Sequence, residues 1–383
     1  MFKLIKKYKE NLFWLLFSFL GAPFFYGLSL IHRFRRGKRL KILVIQTAKI
    51  GDLVCSTPVF REIKKVYPES FLSVLVTPQT KDILKYNPHI DEIFLLNHQG
   101  EIKLVQEIKQ RQFDWSFSLV PGISNTIIPF WAGIPHRVST ISKYASRTTK
   151  LLSVFNNYRL KYKRDTLALR HYLKLLKFIK INEFSEKKEV FISPQETKKA
   201  LQSLKEHNLG PDDFLVGISV TAGKKFKQWS PEKFAQLADR LIDQLKTKII
   251  FTGNSKDESD IKKVQSLMNN QSVKVIDFNL IELAGLLSEM SIFISVDTGP
   301  LYIADALDIP VIDIIGPHSK ASQRPSNKAV IVQKKIPCQP CSFIMSAPGY
   351  CREGHLRCIR DIRVDDVFEA IKKSGFQDLK FSK

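Results

Sequence analysis

The sequence predicts an α/β fold with two doubly wound, Rossmann-like domains, and three observations lead to this prediction. Apolar runs of strand length alternate with amphipathic helices from residue 41 to residue 373, as in a parallel sheet wrapped by helices. The alternation occurs in two series, joined by a polar stretch near residues 182–195. The chain has 383 residues, which is about two to three times the length of a typical single domain.

The first series predicts strands at residues 41–47, 71–77, 92–96 and 115–120, and helices at 52–67 and 102–111. The first strand (KILVIQT) is an apolar run, which is typical of a buried strand in a parallel sheet. In the first helix, Val59, Phe60 and Ile63 recur at helical spacing. This order predicts that strands and helices alternate around one sheet.

The second series predicts strands at residues 214–220, 248–252, 273–278, 292–296 and 311–315, and helices at 231–245, 257–268, 281–290, 301–307 and 364–373. The helix at 231–245 has the clearest signals, because Phe234, Leu237 and Leu241 lie on one face. Ser230 is a suitable N-cap, and Pro231 suits the first helical position.

Three segments follow from these series: a basic-flanked hydrophobic membrane anchor at residues 1–40, a first Rossmann-like domain at 41–190 and a second, which contains the cysteine cluster at 338–358, at 191–383. Two doubly wound halves predict a central cleft between them. Ligands of such sheets bind at the carboxyl ends of the strands, so we expect the functional side chains there.

The N-terminal segment is a candidate for membrane association. Residues 11–31 carry no charged side chain, whereas residues 1–41 as a whole hold ten Lys and Arg and one Glu. The uncharged length just reaches across a hydrocarbon layer of roughly 30 Å. Pro23 interrupts it near its midpoint, however, and both flanks are basic. We therefore predict a monotopic hairpin or interfacial anchor; a single spanning signal anchor and a cleaved signal are the alternatives.

The charge balance favours anionic partners. The chain has 60 Lys and Arg against 37 Asp and Glu, a net charge of +23. Residues 143–180 contain eleven Lys and Arg and a single acid, Asp165, a pattern that is typical of a solvated helix face and that also suits phosphates, carboxylates or a membrane surface. No aromatic-interleaved basic ribbon or zinc-finger spacing occurs, so nucleic acid is not an expected partner.

The turn after the first strand, AKIGD at residues 48–52, has a single glycine. It lacks the G-x-G-x-x-G pattern of a dinucleotide site, which argues against NAD chemistry. An aspartate at a helix start ordinarily satisfies backbone amides. Asp52 also follows the carboxyl end of a strand, where it can accept a proton from a hydroxyl. Asp52 is therefore either an ordinary helix-start residue or a candidate catalytic base, with Lys49 and Gly51 in the same turn.

The loop at residues 220–229 (VTAGKKFKQW) joins a strand to the capped helix. Backbone amides at a helix N-terminus and a lysine ammonium can together hold a phosphate. Thr221, Gly223 and Lys227 are the candidate ligands. The alternative for this loop is a solvated basic turn.

Two further strand ends in the second series carry polar residues. Asp297, Thr298 and Gly299 end one strand and begin a helix, where Gly299 allows close approach of a ligand. Thr252, Gly253 and Asn254 end another. Asp297 is suited either to sugar hydroxyls or to capping the helix. Convergence of the three loops predicts one ligand-binding site.

These stretches resemble glycosyltransferase family 9, the lipopolysaccharide heptosyltransferases, over nearly all of residues 41–374. The matching stretches are KILVIQTAKIGDLVCSTPVFREIKKVYP at 41–68, KQWSPEKFAQLADRL at 227–241, FTGNSKDE at 251–258 and SVDTGPLYIADALDIPVIDIIGP at 295–317. The last of these is the most specific. Tyr302 stands where the family often has His, and Leu301 replaces a small polar residue.

The resemblance implies a GT-B fold and an inverting, metal-independent transfer of heptose from ADP-heptose to a lipopolysaccharide inner-core acceptor. It implies that residues 41–190 form the acceptor-side domain, where Asp52 is the general base and Lys49 and Gly51 lie on the acceptor side. It implies that residues 191–383 form the nucleotide-sugar-binding domain, where Lys227 binds the diphosphate and residues 297–299 form the donor-binding turn. No cofactor is expected, and the expected location is the cytoplasmic face of the bacterial inner membrane. The alternatives are another nucleotide sugar, or a non-catalytic basic module that binds membrane or nucleic acid.

Four cysteines lie close together near the C-terminus, as Cys338-x₂-Cys341-x₉-Cys351-x₆-Cys358, with His355 among them. The second pair lacks the C-x₂-C spacing of a zinc ribbon. We interpret the cluster as reduced, packed thiols, and a structural zinc site is the weaker alternative.

Overall fold

The computed structural model describes residues 2–34, 39–97, 101–326 and 328–374, with the backbone alone described for residues 2–10 and 34. The chain divides into two compact units. The first comprises Met1–Lys81 and Asn87–Glu186, and the second comprises Asp82–Tyr86 and Lys187–Lys383. Residues 1–40 belong to the first unit, because the N-terminal helices pack against helices of that unit.

The first unit is built on a parallel sheet. Its described strands are β1 (Lys41–Ile45), β2 (Phe71–Val76), β3 (Glu92–Leu95), β4 (Trp115–Ser118), β5 (His136–Ile141) and β6 (Tyr158–Lys161). Their order in the sheet is β3-β2-β1-β4-β5-β6, and every pair is parallel. β1 lies at the centre with four fully buried residues, as its apolar sequence predicts.

The helices described in the first unit are α1 (Phe2–Leu20), α2 (Ala22–Phe34), α3 (Ile50–Val54), α4 (Thr57–Val66), α5 (Glu101–Arg111), α6 (Ile123–Trp131), α7 (Arg147–Leu152) and α8 (Ala168–Lys174). The single helix predicted at residues 52–67 is two helices. The hydroxyl of Ser56 donates to the carbonyl oxygen of Leu53 at 2.7 Å, and Pro58 in the first turn of α4 supplies no N–H. Both features favour a break between α3 and α4.

The second unit repeats this architecture. Its described strands are β7 (Leu215–Ser219), β8 (Lys248–Gly253), β9 (Val273–Ile276), β10 (Ile292–Val296), β11 (Val311–Ile315) and β12 (Ala329–Gln333). The order is β12-β11-β10-β7-β8-β9, again with all pairs parallel. Counted along its own strands, each sheet therefore has the classical doubly wound order 3-2-1-4-5-6.

The helices described in the second unit are α9 (Pro194–Glu206), α10 (Pro231–Leu245), α11 (Glu258–Gln265), α12 (Leu280–Ser288), α13 (Gly299–Ala306), α14 (Arg357–Arg360) and α15 (Val364–Lys373). The predicted bounds of α10 are confirmed, and the Ser230 hydroxyl accepts a hydrogen bond from the amide of Lys233. α13 begins two residues before the predicted position, because Pro300 lies in its first turn.

This topology confirms the predicted α/β class with two doubly wound sheets, and it indicates where ligands bind. In each sheet the strand order reverses between the first and fourth strands, which are β1 and β4 in the first unit and β7 and β10 in the second. Ligands of open α/β sheets bind at the carboxyl ends of strands at such a switch point. The loops after β1, β7 and β10 are therefore the positions to inspect.

The N-terminal helices form a bent pair. In the described part of the chain, no helix taken alone has the length and apolarity needed to cross a membrane. Residues 11–20 and 22–33 meet that requirement only jointly, and their axes differ by 62°.

Candidate functional site

The loop after β7 is anchored by Trp229, which is 2% exposed and donates its indole N–H to the carbonyl oxygen of Ile362 at 3.0 Å. Between β7 and this anchor, Thr221 is half-buried and Gly223 is exposed. A single 3₁₀ turn, Lys225–Lys227, follows. The loop therefore presents Lys227 from a backbone that is fixed at both ends.

Lys227 forms an ion pair with Asp297 at the switch point. The distance from Lys227 Nζ to Asp297 Oδ2 is 2.7 Å, and the two side chains are 16% and 10% exposed. β7 and β10 are adjacent in the sheet, so their carboxyl ends bring these two residues together. The pair joins two of the three loops that the sequence predicted to converge.

Two more side chains complete the cluster around the Asp297 carboxylate. The hydroxyl of Tyr302, from the first turns of α13, donates to Asp297 Oδ1 at 3.1 Å. The ring of His318, which follows β11, lies with Nδ1 3.5 Å from Asp297 Oδ2. The carboxylate is therefore held from three directions.

Burial and neighbouring charge set the protonation states of this cluster. Burial raises the pKa of the Asp297 carboxyl, but the proximity of His318 and Lys227 outweighs it, so the pKa lies below its ordinary value. Burial lowers the pKa of His318. Asp313 in β11 behaves oppositely, because burial and then the charge of Asp297 raise its pKa well above the ordinary value. The surroundings thus favour the charged form of Asp297 and the neutral form of Asp313.

The N-terminus of α13 lies directly after Asp297. Thr298 occupies the N-cap position with extended backbone but does not cap the helix with its side chain, and Gly299 begins the helix. Amides of a first helical turn and the positive end of the helix dipole attract anions. Lys227 and this helix terminus therefore place positive charge on both sides of one carboxylate.

The end of β8 flanks the same loop, since β8 lies on the opposite side of β7 from β10. Thr252 is 2% exposed. Half-buried Gly253 lies so close to the residue preceding α11 that a Cβ added to it would be 2.9 Å from the Cβ of Asp257. The side chain of Asn254 is engaged locally: its amide donates to Asp257 Oδ2 at 2.6 Å, and its oxygen accepts from the Lys256 amide. Asn254 thus stabilises the turn into α11.

The three lysines of the loop have different environments. Lys224 Nζ donates to the carbonyl oxygens of Ala347 and Pro348, at 3.1 Å for Ala347. Lys225 is exposed. Lys227 is the loop lysine that pairs with the Asp297 carboxylate.

In the first unit, Asp52 lies in the first turn of α3, just after β1. Its side chain is half-buried, Gly51 is buried and Lys49 is exposed. The Gln46 side chain braces this turn, since its amide donates to the backbone oxygen of Asp52 at 3.4 Å and its oxygen accepts from the Ala48 amide at 3.3 Å. The backbone around Asp52 is therefore held by the end of β1.

Two tyrosines that the sequence did not indicate interact electrostatically with Asp52. Burial, together with the charges of Asp52 and Asp165, raises the pKa of Tyr162 to about 12. Burial and the charge of Asp52 raise the pKa of Tyr172 well above its ordinary value. Both phenols therefore stay protonated. Tyr162 directly follows β6, so the rule that sites lie at carboxyl ends of strands could have found it.

Asp313 and His318 were also missed, although both carry a signal in the sequence. Asp313 interrupts an apolar strand (VIDII), and its carboxyl oxygens have no hydrogen-bond partner among the described residues. His318 follows the carboxyl end of that strand and is 4% exposed. A charge inside a buried strand and a histidine at its end are both unusual enough to be singled out.

The four C-terminal cysteines carry free thiols. Cys338 Sγ lies 3.9 Å from His355 Nε2. Burial raises the pKa of Cys358 to about 11 and also raises the pKa of Cys341. Across the described parts of the chain, no three or more His, Cys, Asp or Glu side chains are arranged to hold a metal ion.

Comparisons with known sequences and structures agree on one family of similar proteins. The family model for glycosyltransferase family 9 (heptosyltransferase) matches residues 101–347. Lipopolysaccharide heptosyltransferase 2 of Escherichia coli K12 is 24% identical over 361 residues, covering 88% of this chain and 99% of that protein. A family 9 glycosyltransferase structure from Veillonella parvula aligns with a TM-score of 0.75 at 19% identity, covering 88% and 97%. E. coli ADP-heptose lipopolysaccharide heptosyltransferase II aligns with a TM-score of 0.72 at 19% identity, covering 89% and 100%.

Proposed function

The chain belongs to glycosyltransferase family 9, and we propose that it transfers heptose from ADP-heptose to an acidic, lipid-linked lipopolysaccharide inner-core acceptor. Membership of the family makes the chain a glycosyltransferase. The single observation that carries the donor assignment is the Lys227–Asp297 pair beside the N-terminus of α13. The proposed location is the cytoplasmic face of the bacterial inner membrane, where an ADP-sugar and a lipid-linked acceptor meet.

On the donor side, the departing ADP gains negative charge as the bond to the sugar breaks. A lysine ammonium has three N–H donors, and the Asp297 carboxylate accepts one of them. The remaining donors and the first-turn amides of α13 are the groups proposed to stabilise the diphosphate. Thr221, Gly223 and residues 252–254 line the neighbouring strand ends and are proposed to hold the rest of the donor.

On the acceptor side, Asp52 is proposed to take the proton from the attacking hydroxyl, with Lys49 and Gly51 alongside it. Its half-buried carboxylate at the end of β1 supports this role, as does the neighbouring protonated Tyr162. General-base assistance of this kind contributes about 10²- to 10⁴-fold to the rate. In an inverting reaction the hydroxyl oxygen forms the new bond to the sugar as the bond to ADP breaks.

The nucleotide is tested by thermal stabilisation. A ligand that binds only the folded protein raises its melting temperature by mass action. We expect ADP and ADP-heptose to stabilise the full chain, and a transfer assay with ADP-heptose and defined core acceptors to yield the glycosylated product. Selective stabilisation by UDP or GDP would assign another donor, and no stabilisation by any nucleotide would favour a non-catalytic basic module.

The base is tested by Asp52→Asn, which keeps the size of the side chain and removes its proton affinity. We expect kcat to fall about 10²- to 10⁴-fold while ADP affinity is retained. Lys65→Ala, at an exposed position of the neighbouring helix α4 and outside the proposed site, is the control for local disturbance. A normal rate for Asp52→Asn removes Asp52 from the catalytic role.

A further inference from the structure

The first unit carries a large apolar surface on its N-terminal helices. Seventeen large hydrophobic side chains are exposed among the described residues, and ten of them lie between residues 12 and 31. They are 41–80% exposed, with Leu20 the most exposed. We call this set the hairpin surface: Leu12, Phe13, Leu16, Phe17, Phe19, Leu20, Phe24, Tyr26, Leu30 and Ile31.

The other side of the same helices is packed into the unit. Ser18 is fully buried and accepts a hydrogen bond from the indole N–H of Trp131 at 3.2 Å. The rings of Trp14 and Trp131 lie 5.1 Å apart, and Phe25 is 7% exposed against Phe130. α1 and α2 are therefore part of the folded domain, with one buried side and one apolar exposed side.

Buried Arg137 contacts α2 and fixes its position on the unit. Its buried guanidinium donates to the hydroxyl of Ser29 at 3.3 Å and to the carbonyl oxygen of Phe155 at 2.8 Å. It also lies over the rings of Tyr26 and Phe130. Straightening the pair into one membrane-spanning helix would remove Ser29 and Tyr26 from a buried charge, which is unfavourable. The bent shape is thus built into the core.

The apolar surface continues onto a neighbouring segment. α1 contacts α7. The ring of Phe19 in α1 lies 4.9 Å from the ring of Phe155, which follows α7. In this segment Leu151 and Val154 are 54% and 50% exposed. The exposed apolar area therefore involves three helices, which is larger than the scattered single residues expected on a soluble surface.

Basic residues adjoin this surface. Among the described residues, exposed Arg33 lies in the last turn of α2, and exposed Arg147 and Lys150 lie on α7, which contacts α1. Residues 11–31 carry no charge, ten Lys and Arg with one Glu occur in residues 1–41, and residues 143–180 add eleven basic residues with one acid. An apolar centre with a cationic border complements an anionic lipid bilayer. A second copy of this chain docked through the same surface would instead place like charges opposite each other.

We propose that the hairpin surface inserts into the interfacial layer of an anionic lipid bilayer, with α1 and α2 lying along the membrane rather than through it. Leu151 and Val154 enter beside them, and the basic border contacts the lipid headgroups. This inference is independent of the transferase chemistry, because it depends on the packing and exposure of the first unit alone.

The test is flotation of the full-length chain with vesicles of phosphatidylcholine, with and without phosphatidylglycerol. We expect tighter binding to the anionic vesicles and a decrease of that preference as salt is raised. Leu16→Glu and Leu20→Glu each remove an inserted side chain, so each lowers the partition coefficient about ten-fold or more. Because these positions are 53% and 80% exposed, the melting temperature is unchanged.

Ile102→Glu and Leu201→Glu are the matched controls, since both residues are exposed apolar side chains outside the hairpin surface. We expect their vesicle binding to equal that of the unchanged chain. Equal binding by the Leu20→Glu variant, or equal losses in the controls, overturns the proposal. A stable dimer in sedimentation that Leu20→Glu dissociates, with no vesicle binding, assigns the surface to a second copy instead.

Quenching of tryptophan fluorescence by brominated lipid measures insertion as opposed to electrostatic adhesion. Half-buried Trp14 lies within the hairpin, so we expect quenching that Trp14→Phe reduces. Binding without any quenching overturns insertion. ADP-induced thermal stabilisation, measured on the same variants, is expected to be unchanged, so a failure of this inference is distinguishable from a failure of the proposed donor.

Discussion

Replacing Lys227 by methionine tests the charge cluster at the end of β7. Methionine keeps the length and apolar stem of the lysine but removes its charge. The change leaves the Asp297 carboxylate, which is 10% exposed, with the Tyr302 hydroxyl and His318 as its remaining polar partners. We expect destabilisation of the second unit, because removal of one partner leaves a largely buried charge uncompensated.

The magnitude follows from the geometry of the pair. At an effective dielectric constant of 20, two unit charges 2.7 Å apart attract by about 6 kcal/mol before desolvation is subtracted. Breaking a buried pair destabilises a protein by about 3–5 kcal/mol, and the retained Tyr302 hydrogen bond favours the lower value. A loss of about 3 kcal/mol in a unit of this size lowers the melting temperature by about 6–12 °C.

Calorimetric melting of a double-mutant cycle is the assay. Asp297→Asn alone leaves the Lys227 ammonium able to reach water, so its effect is smaller, and the double variant recovers part of the loss through a coupling of about 1–3 kcal/mol. Exposed Lys225→Met is the matched control and is expected to melt normally. Effects that add to within about 0.5 kcal/mol would refute the argument that Lys227 and Asp297 are energetically coupled.

Three further predictions concern stability and pH. Burial lowers the pKa of His171 from 6.5 to about 4, so the unfolded chain binds a proton at this residue before the folded chain does. The free energy of unfolding therefore falls by about 3 kcal/mol as the pH drops from 6.5 to 4. His171→Gln is expected to flatten this part of the denaturation profile, and an unchanged profile contradicts the assignment. Lys188→Met leaves buried Asp305 without its cation and lowers the free energy of unfolding, measured by urea titration, by about 3–5 kcal/mol. Lys187→Met breaks the exposed ion pair with Asp308 and lowers the same quantity by less than about 1 kcal/mol. Gly253→Ala forces a Cβ to within 2.9 Å of the Cβ of Asp257 and destabilises the second unit by about 1–3 kcal/mol; a wild-type melting curve would show that the turn adapts without strain.

Much of the fold could be predicted because the strands at the centres of both sheets are short, continuous apolar runs. β10 and β11 have their predicted bounds, as does α10 with its Ser230 cap. These elements have a hydrophobic pattern and local end signals that agree. The sequence did not predict β5, β6 and β12. These strands contain basic or half-buried residues, so they lack a continuous apolar run, and they form because they pair with neighbouring strands.

The candidate site was predictable to the extent that it follows the carboxyl ends of strands. That rule identified Lys227 and Asp297, which the structure joins in one ion pair. It did not identify Tyr302 as a partner of Asp297, because the contact depends on the side-chain direction within α13. Asp313 escaped for a related reason, since its importance comes from burial and from the charge of a residue on the adjacent strand.

Two aspartates on adjacent strands illustrate how the environment assigns different roles to one residue type. Asp297 accepts hydrogen bonds from Lys227 and Tyr302, which stabilise its charge, so it orients the ammonium that is proposed to bind the diphosphate. Asp313 has no such partner among the described side chains, and an ionised Asp297 nearby raises its pKa further. Ionising both would place two negative charges in the region that is proposed to bind the donor's phosphates. The environment therefore favours a single negative charge beside Lys227, because the same surroundings that stabilise the charge of Asp297 oppose a second charge on Asp313.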